Sequence, residues 1–560
     1  MSKRNLIIIF IVSLVLGWQL LRPGYYAMHD DLQVMRLFEM NRCFENGQIP
    51  CRWVADLGQN YGQPLFNYYS ALPYYLGEAF HLIGFSLVDT VKILFLLSLF
   101  LSGAFAYLLS REFMKENSAL ISAIAYLAVP YHAVDIFVRG ALSESWGLTL
   151  IPLVLFALVR ICKKPVVGNA LLLTLSLAAL LTTHNITVLI SAPIILVFGL
   201  YFFLANKDHK KQTLYIAPAV LLGVGLSAFF LFPVLFEQSY IQTKFLTSDY
   251  FDFRAHFTTI GQLFTKLSWG YGPSRFESYQ YPQTLSFFVG IVPIVSLLFA
   301  PFLIWYKRRD KKVVYFFLLV FSLSLFYLFM THARSVMIWE RVEALKFVQF
   351  PWRFLGPAAL LTSLLIGFCF EALPLEVERQ MKAASFLIAF LIAANFSYFR
   401  FEKYFPNMTD SIKLSGSEYN TQIKGALLDY LPATVKVIPE AKAPSAPQVI
   451  SGKVDINYFD KRSNYFSSEF DVMGDRAIVR FPVMDFPGWT LYQNRGAVPI
   501  GYDIENDYGL ITVSLRKGHQ LIQAFFEDTP LRLISNMISL GSGLLLTVWL
   551  VVAYQKNDEN

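Results

Sequence analysis

Residues 213–234, TLYIAPAVLLGVGLSAFFLFPV, run for 22 residues without one charged side chain. Such a stretch has no polar face to turn to water. As a helix it reaches across a bilayer core of about 30 Å. Comparable runs recur at 5–21, 90–110, 118–136, 145–161, 166–182, 186–205, 284–305, 313–331, 354–371, 384–399 and 531–554. Composition agrees, since 55% of the 560 residues are hydrophobic and only 16% charged, where a soluble domain carries about one quarter charged. The expected fold is a polytopic α-helical membrane protein of about 12 spans. Its least regular span is 118–136, where Pro130 and His132 interrupt the run.

Basic residues set the orientation. REFMK (111–115), Arg160 with Lys163 and Lys164, Lys207–Lys211, YKRRDKK (306–312), Arg379 with Lys382 and the tail QKNDEN all fall on one side of these spans. Positive loops stay inside, so both termini are expected in the cytoplasm of a cell membrane. The same loops account for much of the Lys and Arg behind the net charge of +7, and no nucleic-acid partner is needed. The N-terminal run MSKRNLIIIFIVSLVLGWQLLRPG shows no small-residue cleavage site and reads as a retained first span.

Three long segments then lie outside: 22–89, 235–283 and 400–530. In the first, Leu32, Met35, Phe38 and Met40 are spaced for an interfacial amphipathic helix. The second is rich in Tyr and Phe. The third reads as a mainly-β domain, with alternating runs RAIVRFPVM, ITVSLRK and HQLIQAFFE parted by the turn-like PGW, ENDYG and RKGH, and with EAKAPSAP (440–447) as a linker. The expected division is a transmembrane domain over 1–399, a β-rich domain over 400–530, and a final span and tail over 531–560. Cys43 and Cys51 share one outside loop and read equally as a disulfide or as two free thiols. Cys162 and Cys369, in or near spans, read as inert.

The same topology gathers ionisable residues at the outer interface: His29, Asp30 and Asp31; Arg139 and Glu144 in VRGALSESW; His184 in LLTTHNIT; His332, Arg334, Glu340, Arg341 and Glu343 in THARSVMIWERVEALKF; Arg353 in FPWRFLG. Ionisable groups at membrane depth mark function. Here they line one side only. A carboxylate there serves as base toward a hydroxyl, and Arg or His stabilises a departing phosphate. Transfer of a sugar from a lipid phosphate needs this set. Plainer readings stand beside it. Asp30 or Asp31 caps a helix starting at Leu32. His29, Asp30 and Asp31 also offer hard-metal ligands, for Mg or Mn. His184 is a turn histidine, Arg139 and Glu144 a structural ion pair, and Arg353 an interfacial arginine beside Trp352.

HDDLQVMRLFEM (29–40), directly after the first span, resembles the acidic motif of the first outside loop in GT-C superfamily glycosyltransferases, and 235–283 matches in order the family's long outside loop after the seventh span. GQPLFNYYSALPYYLG (62–77), VRGALSESW, THNIT and FPWRF resemble the bacterial membrane proteins labelled "6-pyruvoyl-tetrahydropterin synthase-related". No pterin-synthase zinc site is visible, so that label is not read as an activity. FPGWTLYQNRGAVPI and VSLRKGHQLIQAFFEDTPLR, within 486–532, are similar to the C-terminal region of YfhO-type proteins, GT-C-like enzymes linked to glycosylation of cell-surface polymers. The resemblance implies a membrane glycosyltransferase moving a hexosyl or pentosyl group from a polyprenyl-phosphate donor to a glycan, lipid or protein acceptor of the cell envelope at the outer leaflet. Asp30 or Asp31 would be the base. His29, Arg139, Glu144, His184, His332, Arg334 and Arg353 would bind donor phosphate or substrate. Two rivals are a lipid-glycan flippase or transporter, and a non-catalytic scaffold with an external binding domain. No clear internal repeat favours the transporter.

Overall fold

The computed structural model describes residues 2–275, 285–307, 310–425, 428–501 and 506–558. Arg308 and Arg309 of the YKRRDKK loop, positions 276–283 of the second long loop, Glu505 of ENDYG and the last two residues of the tail lie outside the described residues.

Among the described residues each expected span overlaps an apolar helix, the run 284–305 from Ile291 onward; its Thr284 lies outside the described residues. Among the described residues nine helices are long and apolar enough to cross a membrane: Leu87–Arg111, Glu116–Arg139, Leu142–Lys163, Asn185–Ala205, His209–Phe236, Val313–Met330, Pro351–Glu371, Val377–Tyr398 and Pro530–Ala553. Val167–Thr183 and Ile291–Tyr306 are shorter apolar helices, and Lys3–Leu16 has 14 residues. The irregular run at 118–136 is a broken helix. A regular stretch ends at Leu127, a short turn begins at Pro130, and a π-helical turn covers Val134–Arg139. Proline removes the hydrogen bond that would carry the helix through, and a wide turn of this kind re-aims the side chains that follow it. Gly140 then closes the turn at φ +63°, where a Cβ would collide with Met28; only glycine fits there.

Between the first two helices the chain forms a packed insert. In Gln33–Glu45 the apolar Val34, Met35, Leu37 and Met40 are buried, but so are Gln33, Arg36 and Glu39. These polar positions have partners inside the protein, and the half-exposed face is Phe38, Asn41, Arg42 and Phe44. Cys43 and Cys51 are bonded to each other. Cys162 is free and buried, and Cys369 free and half-buried.

Before the last helix lies one antiparallel sheet: β1 (Gln448–Ser451), β2 (Val454–Lys461), β3 (Tyr465–Met484), β4 (Trp489–Gln493), β5 (Gly496–Val498) and β6 (Leu510–Phe526). Its order is β1-β3-β6-β4-β5, with β2 also on β3. RAIVRFPVM lies in β3. ITVSLRK and HQLIQAFF are one strand, β6, because RKGH is not a turn. Val472 pairs with Gly518 and Arg476 with Arg516, and the ladder continues past an irregularity in β3. Gly518 takes φ +100° there, so the strand bends but stays paired.

One face of this sheet makes its own core. Phe466, Phe470, Val479, Phe481 and Ile522 pack with Trp53, Tyr61 and Tyr68 of the first insert. A buried polar knot joins insert, sheet and spans. Arg52 pairs with Asp528 (3.0 Å) and donates to Asn67 and Asn536, while Arg532 pairs with Glu237 at 2.8 Å. The chain is thus a polytopic α-helical membrane protein whose mainly-β segment is fastened to the ends of its spans.

Candidate functional site

On the sheet-bearing side the span ends, the first insert and residues 413–425, 429 and 430 line a cavity of about 720 Å³. His29, Asp30, Asp31, Arg139, Glu144, His184 and Arg353 all line it. His332 and Arg334 do not. His332 Nδ1 accepts from the backbone N–H of Arg334 at 3.1 Å, and Arg334 is exposed. Their segment carries them to the protein surface, a position that sequence order alone does not distinguish. Glu340 is likewise spent on an exposed pair with Arg254 at 3.1 Å.

The span-end wall is a compact ion network. Arg139 Nη1 pairs with Asp135 Oδ1 and with Glu144 Oε2, the latter at 2.9 Å. The same Glu144 oxygen receives Arg353 Nε at 3.0 Å, and Glu144 Oε1 accepts from Tyr131 Oη at 2.5 Å. Arg353 also donates from Nη1 to the Val348 carbonyl (2.8 Å) and to Gln349. Arg139 lies over the Trp352 ring at 4.5 Å and Arg353 over Phe350 at 4.8 Å. Two guanidiniums and two carboxyl groups are therefore buried together, each with a partner of opposite kind. Both arginines are held from behind by acids and rings while still lining the cavity. His184 lies beside them, its Nδ1 2.8 Å from Thr187 Oγ1. Asp135 was not singled out in the sequence. Its signal is a lone acid inside an apolar run, four residues before Arg139.

The insert wall separates the two adjacent aspartates. Backbone hydrogen bonds from His29 N to the Val138 carbonyl (3.0 Å) and from Asp30 N to the Arg139 carbonyl (2.8 Å) stitch HDD to VRG. Asp30 Oδ2 accepts from Arg36 Nη1 at 2.7 Å and from Gln33 Nε2 at 2.9 Å. Both partners are themselves fixed. Gln33 Nε2 also donates to the Gly140 carbonyl (2.8 Å), and its Oε1 accepts from Tyr74 (2.6 Å). Arg36 lies over Tyr69 at 4.3 Å. Asp30 Oδ1 has no hydrogen-bond partner among the described residues, and the side chain is 34% exposed. Asp31 differs. Its Oδ2 is held by Lys413 Nζ at 2.6 Å, and its Oδ1 is buried and unpartnered. Burial pushes the Asp31 carboxyl up to about 6, with Lys413 opposing. Neither aspartate caps the helix Gln33–Glu45, whose N-cap is Leu32 and which has no side-chain cap bond.

Asp30 and Asp31 turn to different cations, and His29 Nε2 donates to the Tyr271 carbonyl at 2.7 Å. Among the described residues no three His, Cys, Asp or Glu side chains are grouped to hold a metal.

Three further residues close the cavity from the long segment before the last helix. Lys413 bridges Asp31 and Glu418, the second at 2.8 Å. Asp429 Oδ2 lies 3.8 Å from Arg36 Nη2. Burial pushes Asp429 up to about 6, against the pull of Arg36. Nothing in the local sequence of this segment marks Lys413 and Asp429, because Asp31 and Arg36 lie almost 400 positions away.

A family model described as "6-pyruvoyl-tetrahydropterin synthase related domain; membrane protein" matches residues 66–401. The chain belongs to this family. An uncharacterized protein of Lactococcus lactis subsp. cremoris (strain MG1363) is 22% identical over 317 residues, which is 55% of this chain and 50% of that one. The chain thus spans about half the length of this curated relative. Among solved structures, the mycobacterial arabinofuranosyltransferase AftD is similar at TM-score 0.46 and 16% identity, over 73% of this chain and 28% of that one. The apo Archaeoglobus fulgidus oligosaccharyltransferase is similar at TM-score 0.44 and 14% identity, over 71% and 55%. ArnT from Cupriavidus metallidurans bound to undecaprenyl phosphate is similar at TM-score 0.35 and 14% identity, over 70% and 64%.

Proposed function

We propose that this protein is a GT-C-type membrane glycosyltransferase that takes a sugar from a polyprenyl-phosphate donor. It passes the sugar to a hydroxyl of a cell-envelope acceptor at the extracytoplasmic face of the plasma membrane, and Asp30 is the base. The observation that carries this reading is the state of Asp30. One carboxylate oxygen is pinned by Arg36 and Gln33, and the other is open in a cavity shared with Arg139 and Arg353. A base needs a fixed carboxylate with a free oxygen within reach of the proton it removes. Asp31 offers none, since its accessible oxygen is bound to Lys413 and its free one is buried.

The span ends suit the donor. Ile186, Leu189, Val234 and Leu235 bring apolar surface to the cavity beside the two arginines, as a lipid carrying a phosphate requires. In the reaction the acceptor oxygen attacks the anomeric carbon and the bond from that carbon to the phosphate oxygen breaks. The polyprenyl phosphate leaves with the electron pair, and the hydroxyl proton passes to Asp30 Oδ1. Arg139 and Arg353, already oriented by Glu144, meet the charge that develops on the phosphate without further reorganisation. Attack opposite the leaving group inverts the anomeric centre. In this reading 1–399 holds the donor, 400–530 closes over the acceptor, and 531–560 returns the chain to the membrane.

The test is transfer by protein purified in detergent or nanodiscs, supplied with a panel of polyprenyl-phosphate hexoses and pentoses. Product is read by mass spectrometry. One donor should support transfer in the parent and not in Asp30→Asn, with Asp30→Asn still binding undecaprenyl phosphate. Full activity in Asp30→Asn would falsify the assignment of the base.

A further inference from the structure

The cavity is chemically divided, and the division bears on the acceptor. At the span ends the lining offers two guanidiniums, Arg139 and Arg353, against one carboxylate, Glu144. At the opposite wall four carboxylates line the cavity, Asp30, Asp31, Glu418 and Asp429, against two cations, Arg36 and Lys413. Both of these cations are buried, with side chains 3% exposed, and each sits between two of the acids. They are therefore spent on holding carboxylates, and the acids present the accessible surface: Asp30, Asp31, Glu418 and Asp429 are 30–41% exposed. A phosphate brought to this wall meets four acids and two cations already paired with them, whereas hydroxyl and ammonium groups find acceptors. Tyr430 adds an aromatic face, stacked with Tyr68 at 5.7 Å. Rings edged by carboxylates match a sugar, with apolar C–H faces and a rim of donors.

We propose that this wall receives an uncharged or amine-bearing sugar as acceptor and excludes phosphate- and carboxylate-bearing ones, with Glu418 and Asp429 as the specificity-determining residues. The proposal rests on the glycosyl-transfer reading and deepens it. Both residues come from the segment before the last helix, not from the spans, so donor and acceptor recognition are written in different parts of the chain. Asp429 has a second neighbour in Arg36, which also holds Asp30; the group that selects the acceptor thus shares a guanidinium with the base.

The experiment measures binding, not turnover. Protein in nanodiscs is mixed at low salt with methyl glucoside, its 6-amino-6-deoxy form or its 6-phosphate, and contact is read by saturation-transfer NMR. Undecaprenyl phosphate binding is measured separately on the same preparation. The neutral and amino sugars should saturate, and the 6-phosphate should bind about tenfold more weakly, with the gap shrinking as salt rises. In Glu418→Gln/Asp429→Asn the amino form should lose its advantage and the phosphate should gain. The single variants serve if the double variant does not fold. Binding of the phosphate as strong as the neutral sugar, selectivity unchanged in the variants, or no binding of any of the three sugars would overturn the proposal. Loss of undecaprenyl phosphate binding with sugar selectivity intact would instead count against the donor reading and leave this one standing.

Discussion

The two walls of the cavity hold nearly the same groups and use them in opposite ways. At the span ends two arginines share Glu144, and the cations face the space between the walls. At the insert one arginine is shared by Asp30 and Asp429, and the acids face it. The difference lies in which partner is buried deeper. Glu144 is 2% exposed beneath Arg139 and Arg353, whereas Arg36 is 3% exposed beneath Asp30. Whichever member of a buried pair lies toward the cavity sets the sign of the surface a ligand meets. The two walls join where the backbone of Asp30 bonds to that of Arg139, so opposite chemistries sit one residue's width apart.

The sharpest way to break this comparison is to exchange the aspartates' roles. Asp30→Asn should cost about 10²–10⁴-fold in transfer rate while Asp31→Asn costs a small part of that. Equal losses in the two, read in one donor assay, would mean that the different states of their free oxygens do not matter. Next comes the buried acid of the span-end wall. Glu144→Gln leaves Arg139 and Arg353 without their shared charge, and breaking a buried pair costs about 3–5 kcal/mol. Thermal unfolding in detergent should show it together with weakened undecaprenyl phosphate binding. A smaller effect is expected from Arg36→Met. It leaves Asp30 Oδ2 held by Gln33 alone without removing the base, so transfer should fall about 10- to 100-fold with undecaprenyl phosphate affinity unchanged. A loss of lipid affinity there would blur the two walls into one.

The smallest effect concerns Glu39, on the buried face of the insert helix, away from the cavity. Its Oε1 accepts from Asp56 N at 2.8 Å and its Oε2 has no partner. Burial, with Asp56 adding to it, pushes this carboxyl from the ordinary 4.5 up to about 8. The folded protein therefore holds the proton more tightly than the unfolded chain. Stability is fully present below about 4.5 and is lost as pH rises toward 8. Glu39→Gln removes that loss, so its melting temperature should match the parent near pH 4.5 and exceed it by a few degrees at pH 8. A parent already flat across this window would show that Glu39 is not held neutral.

Much of this was legible in the chain, for physical reasons. Hydrophobic runs have one stable solution in a bilayer, so each expected span corresponds to a helix. Seven of the residues singled out, from His29 to Arg353, line one cavity, where ionisable groups at span ends find partners out of the lipid, while His332 and Arg334 go to the surface. What misled was local pattern without context. The spacing of Leu32, Met35, Phe38 and Met40 suggests one apolar face, yet Gln33, Arg36 and Glu39 are buried with internal partners while Phe38 stays half-exposed. RKGH reads as a turn, but its glycine only bends a strand that pairing to β3 keeps whole.

The sequence by itself determined the membrane class, the helices and the set of charged residues at the span ends, because these follow from hydropathy and from the high cost of unpaired charge in lipid. Only the tertiary structure decided which aspartate keeps a free oxygen, and which cation each one faces. Lys413 and Asp429 reach Asp31 and Arg36 across nearly 400 residues, and Glu418 joins them through Lys413. Periodicity is local, but a buried charge takes its partner from wherever the fold brings one.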